Sequence, residues 1–303
     1  VAKLRMEGMR MKRLLALVCA VFLALAAAPR AQAEGLEVNA KSAVLMDVAT
    51  GTVLYEKNAH EALAPASVTK VMTMLLIMEA IDSGSITYDD MVTASETAAA
   101  KGGSQIYLEE NEQLPLQEML KSVVVSSAND CACALAEHIA GSESAFVSMM
   151  NERAQELGMT DTHFVNCTGL DDGPDADTHL TTAYDIALMS CALLKHEEIK
   201  EYTTIWMDTV RNGQFGLANT NKMLKLYDGM VGLKTGYTST AGYCISAAAQ
   251  RDGMCLLAVV LGEPDKQSRN QDITAMLNYG FAEYTVVPIA DGETLPEVAV
   301  ELG

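Results

Sequence analysis

Apolar and polar positions alternate over residues 42–56. Ala43, Leu45 and Val48 lead to Thr50-Gly51, and Val53 and Tyr55 resume the alternation, which predicts a hairpin. The period then changes. After Pro65, residues Val71, Leu75 and Met78 recur at helical spacing and predict a helix over 67–82, ended by Ser83-Gly84. Its methionines read as core filling. Further helices are predicted over 116–125, over 130–140 stopped by Gly141, and over 144–157 stopped by Gly158. A helix over 181–194 has Thr181 or Thr182 as its cap. A turn-rich stretch holds Gly102-Gly103-Ser104, and 166–179 reads as a loop with Gly169, Gly173 and Pro174. In the last third, 230–235, 241–250 and 254–262 are apolar runs of strand length separated by Gly-containing turns, an antiparallel meander closed by a helix over 267–284. Strands at both ends with helices between them predict an α+β fold, an antiparallel sheet flanked by helices with a helical subdomain.

The first 33 residues break this pattern. Lys3, Arg5, Arg10, Lys12 and Arg13 precede an uncharged apolar run over 14–28, and Ala31-Gln32-Ala33 follows. This reads as a secretory signal cleaved near Ala33, and predicts an exported, extracytoplasmic protein. The run, about 15 residues, is shorter than the roughly 20 a spanning helix needs. The organisation expected is therefore a signal peptide over 1–33, one main folded domain over 34–285, and a linker over 286–303 entering a truncated C-terminal β element.

Half of the 303 residues are hydrophobic, which supports a substantial core and argues against disorder. Segment 1–33 holds six of the 21 basic residues and one of the 40 acidic ones, so the remainder carries a net charge of −24. Such a chain is unsuited to nucleic acid, whose phosphates need clustered Lys and Arg. Six cysteines follow the leader: Cys131, Cys133, Cys167, Cys191, Cys244 and Cys255. Cys131 and Cys133, two apart on a predicted helix, diverge rather than converge on a metal. Buried free thiols are expected, with no metal site and no cofactor.

Three short motifs carry candidate chemistry. In Ser67-Val68-Thr69-Lys70, residues three apart share a helix face, so the Lys70 amine can reach the Ser67 hydroxyl. A serine hydroxyl is a weak nucleophile until a base takes its proton, and a lysine can be that base when burial depresses its pKa. In Ser127-Ala128-Asn129, between two predicted helices, a hydroxyl can relay a proton and an amide can hold a peptide group. In Lys234-Thr235-Gly236, at the end of a predicted strand, a cation and a hydroxyl can grip a carboxylate, and the glycine lets another chain approach closely. Each motif alone also reads as capping, turn or strand-end chemistry; the three in this order and context match the signature of penicillin-recognising serine enzymes.

From about residue 40 to 284 the chain resembles the D-alanyl-D-alanine carboxypeptidases, low-molecular-mass penicillin-binding proteins of peptidase family S11. Pro65-Ala66-Ser67-Val68-Thr69-Lys70-Val71-Met72-Thr73, Ser126 to Asp130, Gly169-Leu170-Asp171 with His179-Leu180-Thr181-Thr182, Asn219 to Lys222, and Gly232 to Thr238 carry the resemblance. It implies a β-lactamase/transpeptidase-like fold and removal of the terminal D-Ala from peptidoglycan stem pentapeptides. Ser67 would be the nucleophile, Lys70 its base and Ser127 a proton relay with Lys234. Asn129, Lys234, Thr235, Gly236 and Tyr237 would form the substrate-binding face, with the oxyanion between the backbone N–H groups of Ser67 and Tyr237. Inhibition by β-lactam antibiotics is implied as well. Tyr237 stands where some members carry His. The family's C-terminal β domain and amphipathic anchor are expected to be only begun here, so peripheral membrane association is expected only if such an anchor follows. Three alternatives remain: a D,D-endopeptidase on the same scaffold, a class A β-lactamase, and a non-catalytic wall-binding protein. The second would need a deacylating glutamate, and none stands between His163 and His179.

Overall fold

The computed structural model describes residues 36–173 and 175–287. The expected leader over 1–33 and the expected linker from 288 onward lie outside the described residues. The predicted N-terminal hairpin is β1 (Ser42–Asp47) and β2 (Val53–Lys57), with Gly51 at φ +70° in the turn. The predicted meander is β7 (Met230–Thr238), β8 (Gly242–Arg251) and β9 (Met254–Glu263). These join in one antiparallel sheet of order β2-β1-β9-β8-β7, with Val44 opposite Val259 where the two ends of the chain meet.

Between the two groups of strands run α1 (Lys70–Asp82), α2 (Glu96–Ala99), α3 (Leu116–Ser126), α4 (Asn129–Ala140), α5 (Glu143–Glu156), α6 (Ala183–Leu193), α7 (Ile199–Thr203) and α8 (Met223–Leu226); α9 (Lys266–Glu283) follows the sheet. Thr182 is the cap of α6, its hydroxyl accepting from Asp185 N at 3.0 Å. The minor strand pairs β3 (Met91–Thr93) with β4 (Gln113–Pro115), and β5 (Met207–Val210) with β6 (Phe215–Ala218), were not predicted. They are three or four residues long and half exposed, too short for a period to show.

The central strands are apolar on both faces because both are covered. Val44, Met46, Leu257 and Val259 join the core that holds α1 and α6. The alternate positions meet α9, where a side chain at Gly280 would lie 2.5 Å from Leu256 and 3.0 Å from Leu45. Helix α1 is buried from Lys70 to Met78 and packs against α4 and α6. A helix apolar all round belongs inside a domain, and burying each Leu, Ile, Val or Met contributes about 1.5–3 kcal/mol. That packing fixes the helix whose first residue is a buried lysine. All six described cysteines are free thiols, five of them buried. Among the described residues no helix is long and apolar enough to cross a membrane.

Candidate active site

Ser67 lies in a 3-10 turn, Ala66–Thr69, that runs directly into α1. The predicted helix start is therefore a tighter turn. Ala66 enters it at φ +48°, a left-handed conformation for a buried alanine. The strain is held from outside. Thr69 Oγ1 donates to Ala66 O at 2.8 Å and lies 2.8 Å from His179 Nε2, while His179 Nδ1 accepts from Val165 N at 3.1 Å. An acceptor at Nδ1 puts the ring proton on Nε2, so the imidazole is neutral and donates to Thr69. Burial, with His163 adding to it, holds His179 down to about 4. Gly169, at φ +80°, passes so close that a Cβ would lie 1.8 Å from Ala66 O. Only glycine fits there.

The Lys70 amine donates to Ser67 Oγ at 2.9 Å and to Thr168 O at 2.8 Å. It is fully buried, and burial pulls its pKa down to about 7 against the opposing pull of Cys167 and Asp130. A neutral amine with a lone pair is thereby available near pH 7, beside the hydroxyl it would deprotonate. Among the described residues no carboxylate is hydrogen-bonded to Ser67 or Lys70.

Ser127 ends α3 in the left-handed region, φ +63°, and its buried Oγ has no partner among the described residues. Asn129 opens α4. Its Nδ2 donates to Gly102 O at 2.8 Å and its backbone N to Ser104 O at 2.7 Å, which leaves Oδ1 a buried acceptor without a donor. The turn-rich 102–104 stretch thus braces Asn129, and Gly103 at φ +74° makes room for that amide. Two orphaned polar atoms at one site are a cost that a ligand's donor and acceptor would relieve.

The third motif lies inside β7 rather than at its end, because Tyr237 and Thr238 stay paired with Tyr243 and Gly242. Gly236 does admit a close neighbour, but that neighbour is the protein's own turn carrying Ser67. A Cβ there would lie 2.8 Å from Pro65 O and 3.0 Å from Ser67 N. Lys234 is buried, donates to Thr235 O at 2.8 Å, and is held well below its ordinary pKa by burial, then by the charges of Lys70 and Arg269. Thr235 Oγ1 donates to Thr220 Oγ1 at 2.8 Å. Tyr237 is 56% exposed and its ring lies 4.3 Å from that of Tyr243.

A cleft of about 560 Å³ joins these pieces, with Ser67, Ser127, Thr235, Gly236 and Tyr237 on its wall. Lys70, Asn129 and Lys234 stand behind that wall, buried. Sequence reasoning missed Arg269, which reaches the cleft from α9, and Thr220 and Ser104, which line it. Arg269 is 4% exposed and its guanidinium donates to Asn270 Oδ1 at 3.2 and 3.0 Å, with no carboxylate ion-paired to it among the described residues. A buried guanidinium without an anion was the available signal, and it exists only in the folded chain. Chemically, such an arrangement can activate a hydroxyl at one end of the cleft and receive an anion at the other.

The family model described as D-alanyl-D-alanine carboxypeptidase, Peptidase_S11, matches residues 27–265. The chain is 45% identical to D-alanyl-D-alanine carboxypeptidase DacF of Bacillus subtilis over 97% of this chain and 77% of that protein. It is 36% identical to DacD of Escherichia coli over 84% of this chain and 66% of that protein. The crystal structure of penicillin binding protein 6B from Escherichia coli superimposes with a TM-score of 0.78 at 35% identity, covering 84% of this chain and 81% of that one. Penicillin-binding protein D2 of Listeria monocytogenes in its ampicillin-bound form gives a TM-score of 0.70 at 30% identity, covering 81% of this chain and 99% of that one. With the serine–lysine pair, the β-lactamase/transpeptidase fold and these relatives in agreement, the chain belongs to the D-alanyl-D-alanine carboxypeptidases of peptidase family S11.

Proposed function

We propose that this chain hydrolyses the terminal D-Ala–D-Ala bond of peptidoglycan stem pentapeptides through an acyl-enzyme on Ser67. The observation that carries this reading is the buried Lys70 amine, held down to about 7 and 2.9 Å from Ser67 Oγ. Lys70 takes the hydroxyl proton as Ser67 attacks the penultimate D-Ala carbonyl. The oxyanion is received by the backbone N–H groups of Ser67 and Tyr237. Ser127, with Lys234, passes a proton to the departing amine. Thr235, Lys234 and Arg269 receive the terminal carboxylate, and Asn129 Oδ1 accepts from a substrate N–H. Water then releases the shortened peptide.

A β-lactam enters the same cycle, opens its ring on Ser67 and leaves slowly. The ampicillin-bound relative supports this, as does the absence of a deacylating glutamate from the loop before His179. The substrate lies in the cell wall, so the basic and apolar residues 1–33 are read as an export signal cut near Ala33, with the catalytic domain over 34–285 and a linker over 286–303.

The test is incubation of the chain with a stem pentapeptide ending in D-Ala-D-Ala, with products followed by mass and a Ser67→Ala variant alongside. Loss of one alanine by the parent alone is expected. A folded parent that releases no alanine from the pentapeptide, yet cleaves cross-linked muropeptides, would replace this reading with a D,D-endopeptidase.

A further inference from the structure

Strand β9 ends at Glu263, which is fully buried and whose two carboxyl oxygens find no donor among the described residues. Asp272 faces it from α9. The oxygens of Asp272 accept from Asn39 N at 2.5 Å, Ala40 N at 2.9 Å and Asn39 Nδ2 at 3.2 Å. Two carboxyls buried together cannot both carry charge, and one proton between them turns a contact of two acceptors into a hydrogen bond. All three N–H donors go to Asp272 and none reaches Glu263, so the shared proton is placed on Glu263. Burial first, then Asp272, pushes Glu263 up to about 8.

This pair lies next to the anion end of the cleft. Arg269 is one turn before Asp272 on the same face of α9, and Glu263 acts on its charge. The other titratable or charged neighbours are Lys234 of β7, Asp265 at the α9 cap, Tyr55 and Lys57 of β2, Tyr243 and Cys244 of β8, and Lys41. Arg269, donating only to the Asn270 side chain, has a potential carboxylate partner beside it and does not pair with it.

We propose that Glu263 is a positioning residue for Arg269: as a neutral acid bound to Asp272, it leaves the guanidinium unpaired at the cleft and available to an anionic ligand group. This rests on the reading of the Arg269 end as the site for the substrate carboxylate. Once Glu263 loses its proton, its carboxylate repels Asp272 and takes Arg269 as its own partner, and the ligand loses a charge-assisted hydrogen bond.

Hydrolysis of a stem pentapeptide by the full chain from pH about 6 to about 10 tests this, with kcat and KM resolved. In the parent, KM is expected to rise about tenfold above pH about 8 while kcat holds, the size of one lost charged hydrogen bond. In Glu263→Gln, which bonds without ionising, that alkaline rise is expected to vanish. A rise of equal size in Glu263→Gln, or no rise in the parent, overturns the proposal. Should the variant not fold, infrared spectra of the parent labelled with 13C-glutamate decide: a protonated glutamic carboxyl is expected at pH about 7 and gone at pH about 10, and its absence at the lower pH overturns the proposal. Arg269→Gln at pH about 7 separates the two readings. An unchanged KM there removes the carboxylate site itself, and the proposal with it, whereas a raised KM with no Glu263-dependent rise removes only the role of Glu263.

Discussion

The cleft is built around two buried lysines, and they are prepared for opposite roles. Lys70 begins a helix packed on all sides and has two partners, Ser67 Oγ and Thr168 O, which leave its amine aligned with one hydroxyl. Burial brings it to about 7, where it can accept a proton under ordinary conditions. Lys234 lies inside a strand with the carbonyl of Thr235 as its acceptor, and two further cations, Lys70 and Arg269, act on it. Burial first, then these two neighbours, holds it well below its ordinary value. In the proposed reaction one lysine serves the covalent step and the other a ligand's charge. On that reading the same residue type at the same depth gives a base or an anion site according to what stands next to it.

Breaking the base side should have the largest effect. Lys70→Met is expected to lower kcat by about 10³-fold while thermal stability stays within about 1 kcal/mol of the parent or rises, since a desolvated amine is replaced by an apolar side chain of similar length. Pre-steady-state acylation by benzylpenicillin and a melting curve check both halves. Gly169→Ala attacks the same side through the backbone. With Ala66 O 1.8 Å from the new Cβ, about 3 kcal/mol of stability should go, and acylation with it.

The anion side should respond in a different parameter. Lys234→Met is expected to raise KM for a carboxylate-ended peptide by about 10–100-fold, the range of one charged hydrogen bond, and to leave KM for an amidated peptide nearly unchanged. Equal losses with both peptides would show that the two lysines are not divided as described. The pH profile sharpens the contrast further. Only the neutral form of Lys70 is a base, so kcat/KM should fall about tenfold per unit as pH drops below about 7 and level off between about 7 and 8, before the rise in KM expected from Glu263. The smallest effect is expected at the exposed edge. Tyr237→Ala should change KM about threefold and stability by less than about 0.5 kcal/mol, since the ring is more than half in solvent.

Much of this was legible in the chain itself, for identifiable reasons. The hairpin, the meander and six of the helices were visible because their apolar spacing matches the period of the element they form, and each ends at a Gly, a cap or a turn. The helix over 67–82 showed why Ser67 and Lys70 meet, since residues three apart share a face. What the pattern could not show were elements too short to have a period, such as β3, β4, α7 and α8. Nor could it show that Lys234-Thr235-Gly236 lies within β7, because strand pairing, not composition, decides where a strand stops.

The sequence by itself determined the elements, the order of the three motifs and the chemistry their residues can perform, because periodicity and functional groups are local properties. The tertiary structure decided that β1 pairs with β9 and that β7 passes against the turn of Ser67. It also brought Arg269 of α9 to a cleft that begins at Ser67, with Asp272 one turn further along the same helix. Above all it decided protonation. Burial and neighbouring charge, which no residue carries alone, bring Lys70 down to about 7 and Glu263 up to about 8.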